Sequence, residues 1–281
     1  NSNKILVSLF SFNVFATENT QNQRQFSQEF QVLTDSRDNT VHGLVGLYYF
    51  KESADEFTQV YIPDTQGRLI NGLFDHDAQN KNWAVYGETT FDVRESLHLT
   101  LGARYTRERK RYASYQLTVD PNTPEQAIDT LVDEPGQSLR VEEMTTRATL
   151  SLDWNPETML YLTFSEGFKS GGFNSRHLDP APGLRAVVYA PEYVTQYEFG
   201  IKYTNRDSTL RINTAAFYSD YTDIQISTNP EFTGGATITQ NAAEADISGM
   251  ELEFTFSPTP YWLIEGGIGY LNAAYNALED E

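Results

Sequence analysis

Residues Met144–Phe173, MTTRATLSLDWNPETMLYLTFSEGFKSGGF, carry the pattern that decides the fold. Ala148, Leu150, Leu152 and Trp154 alternate with Arg147, Thr149, Ser151 and Asp153. Asn155-Pro156-Glu157-Thr158 reads as a tight turn, and Leu160, Leu162 and Phe164 then alternate with Tyr161, Thr163 and Ser165. A strand sends successive side chains to opposite faces. This hairpin therefore has one wholly apolar face ending on a tryptophan and one polar face that includes charges. Beyond Ser165 a glycine-rich stretch opens into a loop. The same design recurs along the chain, with a short polar turn at one end of each hairpin and a long polar stretch at the other. It predicts an all-β protein, a transmembrane antiparallel up-and-down β-barrel with short periplasmic turns and long extracellular loops.

Working outward, Gln25–Thr34 and Val41–Phe50 read as strands around the turn cluster Asp35–Asn39, followed by a polar loop from Lys51 to Lys81. Trp83–Val93 and the strand from Leu97 to Tyr105 flank the turn Arg94-Glu95-Ser96. A strongly acidic loop is expected over Ala113–Glu143, and another loop over Gly167–Ala190. Tyr193–Tyr203 and the strand from Leu210 to Tyr218 flank Asn205–Ser208; a loop around Pro230 follows. Ser248–Phe256 and the strand from Trp262 to Tyr270 flank a turn expected at Ser257–Pro260. The result is an incomplete barrel of about ten to eleven strands, each ~10 residues long, the length of a tilted bilayer span. Its lipid-facing residues include Leu97, Leu99, Leu101, Leu150, Leu152, Trp154, Phe199, Leu252, Phe254, Trp262 and Ile264. Trp154, Tyr203, Phe256 and Trp262 sit beside short turns and would form one interfacial girdle.

The composition bounds the function. With 20 basic against 39 acidic residues and a net charge of −19, the chain lacks the basic footprint of a nucleic-acid binder. It has no cysteine, so neither disulfides nor thiol chemistry enter. Aromatic residues make up 13% of the chain, which suits aromatic girdles. Mean hydropathy is −0.49, and no stretch approaches the ~18 apolar residues of a membrane helix; a barrel strand needs only every second residue apolar. Lys4 followed by Ile5–Ala16 reads either as a weak signal-like segment or as a strand.

No catalytic constellation emerges, and neither an enzyme nor a cofactor is expected. Asp75-His76-Asp77 is the one carboxylate–histidine cluster, but it lacks further spaced ligands, so no metal site is assigned. Glu251 and Glu253 are paired carboxylates of the kind that line a barrel lumen. Ser165 has no histidine and acid beside it, and Gly171-Gly172 reads as a turn rather than a phosphate loop. Arg104, on the polar face of its strand, and Lys169 and Asn174, where an outer loop begins, are candidates for the ligand path. On the strand from Leu97, the odd positions through Tyr105 rise roughly 20 Å from the short turn. The same face then presents Arg107, Arg109 and Arg111 at the level of lipopolysaccharide phosphates, which arginine grips bidentately. Glu108 and Lys110 are expected on the lumen side.

Several segments in order resemble TonB-dependent outer-membrane receptors. Ser165–Asn174, SEGFKSGGFN, is similar to that family's "GFKSGGFN" segment. Pro191-Glu192-Tyr193 leading into Tyr197–Tyr203 resembles the strand that follows it. Asn213–Ile226, Asn241–Ala245 with Ile247–Phe254, and Gln25–Val32 with Gly46–Phe50 resemble further strands in order. The likeness covers 21–281, read as a partial receptor barrel; residues 1–20 form an unmatched N-terminal segment. These receptors have about 22 strands and a plugged lumen, so the chain reads as a middle portion of the barrel without the plug, the TonB box or the last strands. The resemblance implies an outer-membrane location and active uptake of a scarce small-molecule ligand of the ferric siderophore, cobalamin or glycan class. It implies as partners outer-membrane lipid, lipopolysaccharide and, through a plug domain, the TonB complex. A passive porin and a soluble β-sandwich binding module are the alternatives.

Overall fold

The computed structural model describes residues 2–9, 12–63, 69–119, 127–174, 187–228 and 238–278. Eleven strands form one antiparallel sheet: β1 Ser2–Leu9, β2 Phe12–Asp35, β3 Val41–Pro63, β4 Leu69–Arg94, β5 Leu97–Val119, β6 Ala127–Asn155, β7 Thr158–Lys169, β10 Glu192–Thr204, β11 Leu210–Thr228, β12 Ile238–Thr259 and β13 Trp262–Leu278. Sheet order follows chain order, with β7 beside β10. Between them β8 Gly172–Phe173 and β9 Val188–Tyr189 make a separate two-stranded sheet. The large sheet does not close: β1 and β13 are its two edges. β2 runs unbroken through residue 20.

Register follows the apolar pattern. Leu97, Leu99 and Leu101 stand opposite Leu152, Leu150 and Ala148. Phe164 and Leu162 stand opposite Tyr197 and Phe199, and Phe199 in turn faces Ala216. A slip by one residue would move every apolar side chain to the other face, which is why such a register is strongly specified. The short turns are closed locally. Around Asn39, which has a φ of 59°, Ser36 N donates to Val41 O at 2.8 Å, and the Asp38 carboxylate accepts from Ser36 Oγ at 2.6 Å. Hydrogen bonds from Ser36 and then Thr40 hold the Asp38 carboxyl below the usual carboxylate range. The last turn falls at Pro260-Tyr261, because β12 continues to Thr259, into the turn expected at Ser257–Pro260.

Two expected loops are largely strand. β3 and β4 stay paired as far as Pro63 and Leu69, across most of the expected Lys51–Lys81 loop. β5 and β6 stay paired out to Val119 and Ala127, inside the expected Ala113–Glu143 loop. The apolar alternation stops where both faces meet water, but the hydrogen-bond ladder does not need it and continues. These hairpins therefore project well beyond an apolar band about 25 Å tall.

The two faces of the sheet differ. One carries exposed Val45, Leu47, Tyr49, Trp83, Val85, Leu101, Leu150, Phe199 and Leu252. The other carries buried polar groups, among them Thr58, Thr106, Glu108, Ser114 and Gln116. The β8–β9 segment lies against the polar face. That face is inner, and the apolar one is outer.

Candidate functional site

On the inner face, size and ring orientation build the first feature. A Cβ on Gly46 would lie 2.1 Å from the Tyr86 ring, so only glycine lets that ring lie flat on β3. The Tyr86 hydroxyl donates to Glu29 and accepts from Gln31 Nε2 at 2.8 Å. The Arg104 guanidinium carbon then sits 5.3 Å from the Tyr86 ring centre and 5.4 Å from that of Tyr48, within cation–π range. Arg104 Nε donates to Thr106 Oγ1 at 3.2 Å. The same device recurs at Gly200, beneath the ring of Tyr161, whose hydroxyl donates to Glu198 Oε1 at 2.7 Å.

The second feature is a strap made by the described segments 169–174 and 187–191. Gly171 and Gly172 pass in contact with Tyr189: a Cβ on either would lie 2.3 Å from one of its oxygens. Phe173 stacks on Tyr112 (5.6 Å, 19°), and Tyr112 stacks on His76 (5.7 Å, 25°), with its hydroxyl 2.7 Å from His76 Nδ1. Lys110 Nζ donates to Gly171 O at 2.6 Å and lies 3.7 Å from the buried Glu108 carboxylate. From the other side the strap is fixed by its own Asn174 and clamped by Gln225 of β11 and Asn241 of β12. Asn174 exchanges hydrogen bonds with the Thr239 backbone at 2.7 and 2.8 Å and reaches Val187 O. Asn241 accepts from Ala190 N at 2.7 Å and donates to Ala190 O, Pro191 O and Asp223 O. Gln225 Nε2 donates to Ser170 O and Ala190 O, while its backbone N donates to Glu192 Oε2 at 2.9 Å. Between strap and sheet lies a cleft of about 380 Å³, walled by Glu52, Glu56, His76, Lys110, Tyr112 and Tyr189. That volume falls within the range of small-molecule pockets.

The family description "TonB dependent receptor-like, beta-barrel" matches residues 2–281. The chain belongs to that family. It is 25% identical over 252 residues to the pesticin receptor of Yersinia enterocolitica, covering 88% of this chain and 34% of the relative. Identity to the pesticin receptor of Yersinia pestis is 24%, with the same coverage. The chain thus spans about a third of the length of these curated relatives. In fold it is similar to the ferric yersiniabactin uptake receptor FyuA of Yersinia pestis, with a TM-score of 0.74 at 18% identity over 94% of this chain and 37% of that one. It is similar also to the siderophore receptor PiuA of Acinetobacter baumannii, with a TM-score of 0.62 at 17% identity over 92% of this chain and 38% of that one.

As a TonB-dependent receptor barrel the protein resides in the outer membrane, and its family is one of receptors rather than enzymes. In that setting each expected residue has a place. Leu97, Leu99, Leu101, Leu150, Leu152, Phe199, Leu252, Phe254, Trp262 and Ile264 lie on the outer face by register, and Trp154, exposed beside the turn, falls at a register shift. Arg104 lies on the inner face. Lys169 is at the rim, 3.7 Å from Glu192. Asn174 is only 7% exposed; Thr239 of β12 and Val187 O of the strap occupy its side-chain amide, and Val187 O also takes its backbone N–H. Arg107, Arg109 and Arg111 alternate with inner-facing Glu108 and Lys110; Arg107 Nε lies 3.1 Å from Glu142 Oε1. Alternation splits the Asp75-His76-Asp77 triplet, leaving His76 inside and both aspartates exposed on the other face. Among the described residues no group of three or more His, Asp or Glu could hold a metal.

His76, Tyr112, Phe173, Tyr189, Gln225 and Asn241 were not predicted from sequence. Reading the polar stretches as continued strands would have put His76, Lys110 and Tyr112 on one face by parity alone.

Proposed function

We propose that this barrel forms part of the wall of a receptor that takes up a scarce small-molecule ligand, with a ferric siderophore as the first class to test, ahead of cobalamin or a glycan. Import would be driven by the TonB complex acting through a plug domain that these residues do not include. The observation that carries the reading is the strap-covered cleft. Lys110 supplies a cation beside a stack of flat rings, and Arg104, held between two tyrosines, supplies another on the same inner face. A bulky ferric chelate with anionic and aromatic parts suits that chemistry better than a small hydrated solute. Asn80 and Asn82 add side-chain carbonyls on this wall that have no protein partner among the described residues. The names of the similar structures support iron chelates as the starting class, since those proteins are a ferric yersiniabactin uptake receptor and a siderophore receptor.

The test is uptake of radiolabelled iron chelates by a strain lacking the gene and complemented with it, with and without TonB. Saturable, TonB-dependent uptake of a chelate, lowered at least about fivefold by K110Q or R104Q, is the expected result. Uptake that is unsaturable and independent of TonB would instead make the barrel a passive pore.

A further inference from the structure

The outer face carries a feature unrelated to cargo. Lys51 stands directly opposite Lys81, Lys81 opposite Arg109, and Arg109 opposite Arg140. Four cations on four consecutive strands therefore occupy one register line. With strands spaced ~4.8 Å apart the line is about 15 Å long. All four side chains are exposed and share the face of Tyr49, Trp83, Tyr105 and Met144. None has an ion-pair or hydrogen-bond partner among the described residues. The nearest acid on this face, Glu142, is taken up by Arg107 and by the Tyr105 hydroxyl at 2.9 Å. One register line further out, Arg24 pairs with Ser53, and Arg111 stands opposite Gln79 and Ser138.

Like charges directly opposite one another destabilise a sheet. In a chain with a net charge of −19 and only 20 cations, placing four of them side by side without acids calls for an external counter-charge. Height identifies it. From Leu97, at the short-turn end, twelve steps of ~3.3 Å at a tilt near 40° lift Arg109 about 30 Å, just clear of an apolar band ~25 Å tall. Immediately below lies an aromatic belt of Tyr49, Trp83 and Tyr105, with Trp83 and Tyr105 packed edge to face at 5.7 Å, while Phe26, 6.3 Å from Tyr49, stands opposite Lys51 at the end of the row itself. This is the headgroup level of the outer leaflet.

We propose that the row Lys51–Lys81–Arg109–Arg140 binds the phosphate groups of a phosphorylated glycolipid of the outer leaflet, lipopolysaccharide. The row replaces the along-strand trio as the binding unit. Arg107 is held by Glu142, whereas Arg109 contributes through its neighbours on β4 and β6. The inference does not depend on what the barrel transports.

The test uses the protein purified from outer membranes in mild detergent, with lipopolysaccharide retained per protein measured by mass spectrometry. K51Q/K81Q/R109Q/R140Q should lose roughly tenfold or more of the retained lipid. R37Q/R94Q, at the opposite end of the strands, should lose none, and the charge-preserving K51R/K81R/R109K/R140K should keep most of it. If the fourfold glutamine variant does not assemble, K81Q/R109Q gives the same comparison. Lipid-stripped protein titrated with intact and with dephosphorylated lipopolysaccharide should bind the intact form alone. Unchanged retention in the glutamine variants, equal loss in R37Q/R94Q, or equal binding of the dephosphorylated lipid would overturn the proposal.

Discussion

At the scale of the residue, the inner wall depends on a side chain that is missing. Gly46 leaves room for Tyr86 to lie flat, and Tyr86 in turn offers its ring to Arg104. G46A should push the ring off the sheet and cost about 1–3 kcal/mol, as overpacking does. Adding Y86A to G46A should recover most of that loss, because the clash partner is gone. Denaturant titration in detergent reads both; a double variant no more stable than G46A would show that the glycine matters for some other reason. On the opposite face, L101R should cost ~2–4 kcal/mol near mid-membrane. G102S, one residue along but turned inward, should be tolerated, since a Cβ there finds its nearest atom at 3.5 Å. Similar losses of assembled, heat-modifiable protein for both variants would contradict the assignment of faces. That assignment was legible in sequence, because strict alternation at Leu97–Tyr105 leaves only one register in which every leucine points the same way. The glycine–tyrosine contacts were not, since Gly46 and Tyr86 are forty residues apart and meet only through the pairing of β3 with β4.

At the scale of the element, two kinds of segment looked alike in sequence and fold differently. The acidic and amide-rich stretches after Phe50 and before Met144 lose their apolar period and read as loops. They are ladders, held by backbone hydrogen bonds that alternation does not report. The stretch after Lys169 also reads as a loop, and over its described residues it is a strap clamped from both sides. Its clamp residues Gln225 and Asn241 lie far along the chain, so their role was beyond any local pattern. Asn174 stands out in sequence as lying where an outer loop begins, but its side chain is taken up by the Thr239 backbone of β12 and by Val187 O of the strap. N174A/N241A should free the strap while leaving the large sheet paired. Hydrogen exchange at Val187–Pro191 should then rise by an order of magnitude or more, since each lost bond is worth ~1 kcal/mol, with β10 and β11 unchanged. Exchange equal to that of the parent protein would show that the rings of Phe173 and Tyr189 hold the strap without the amides.

At the scale of the whole molecule, the decisive quantity is the number of paired edges. An interior strand satisfies its backbone on both sides; β1 and β13 each do so on one. Along β13 the exposure is two-sided. Trp262, Ile264, Ile268 and Tyr270 are exposed on the outer face, and Leu263 and Leu271 on the inner. A long edge that is apolar on both faces is a template for pairing with another chain. About eleven strands also cannot enclose the wide lumen of the roughly 22-stranded transporters. The 281 residues expressed alone should therefore form detergent-trapped oligomers or aggregates, linked edge to edge. The same residues within a closed barrel should run as a protease-resistant, heat-modifiable monomer. If edge pairing drives the association, lysines at Leu263 and Leu271, whose side chains face away from lipid, should reduce it several-fold without touching the outer surface. Size-exclusion chromatography in detergent distinguishes the cases. A monodisperse 281-residue monomer that conducts ions across a bilayer would mean that these strands close on themselves, pairing β1 with β13, and would overturn the open-sheet account.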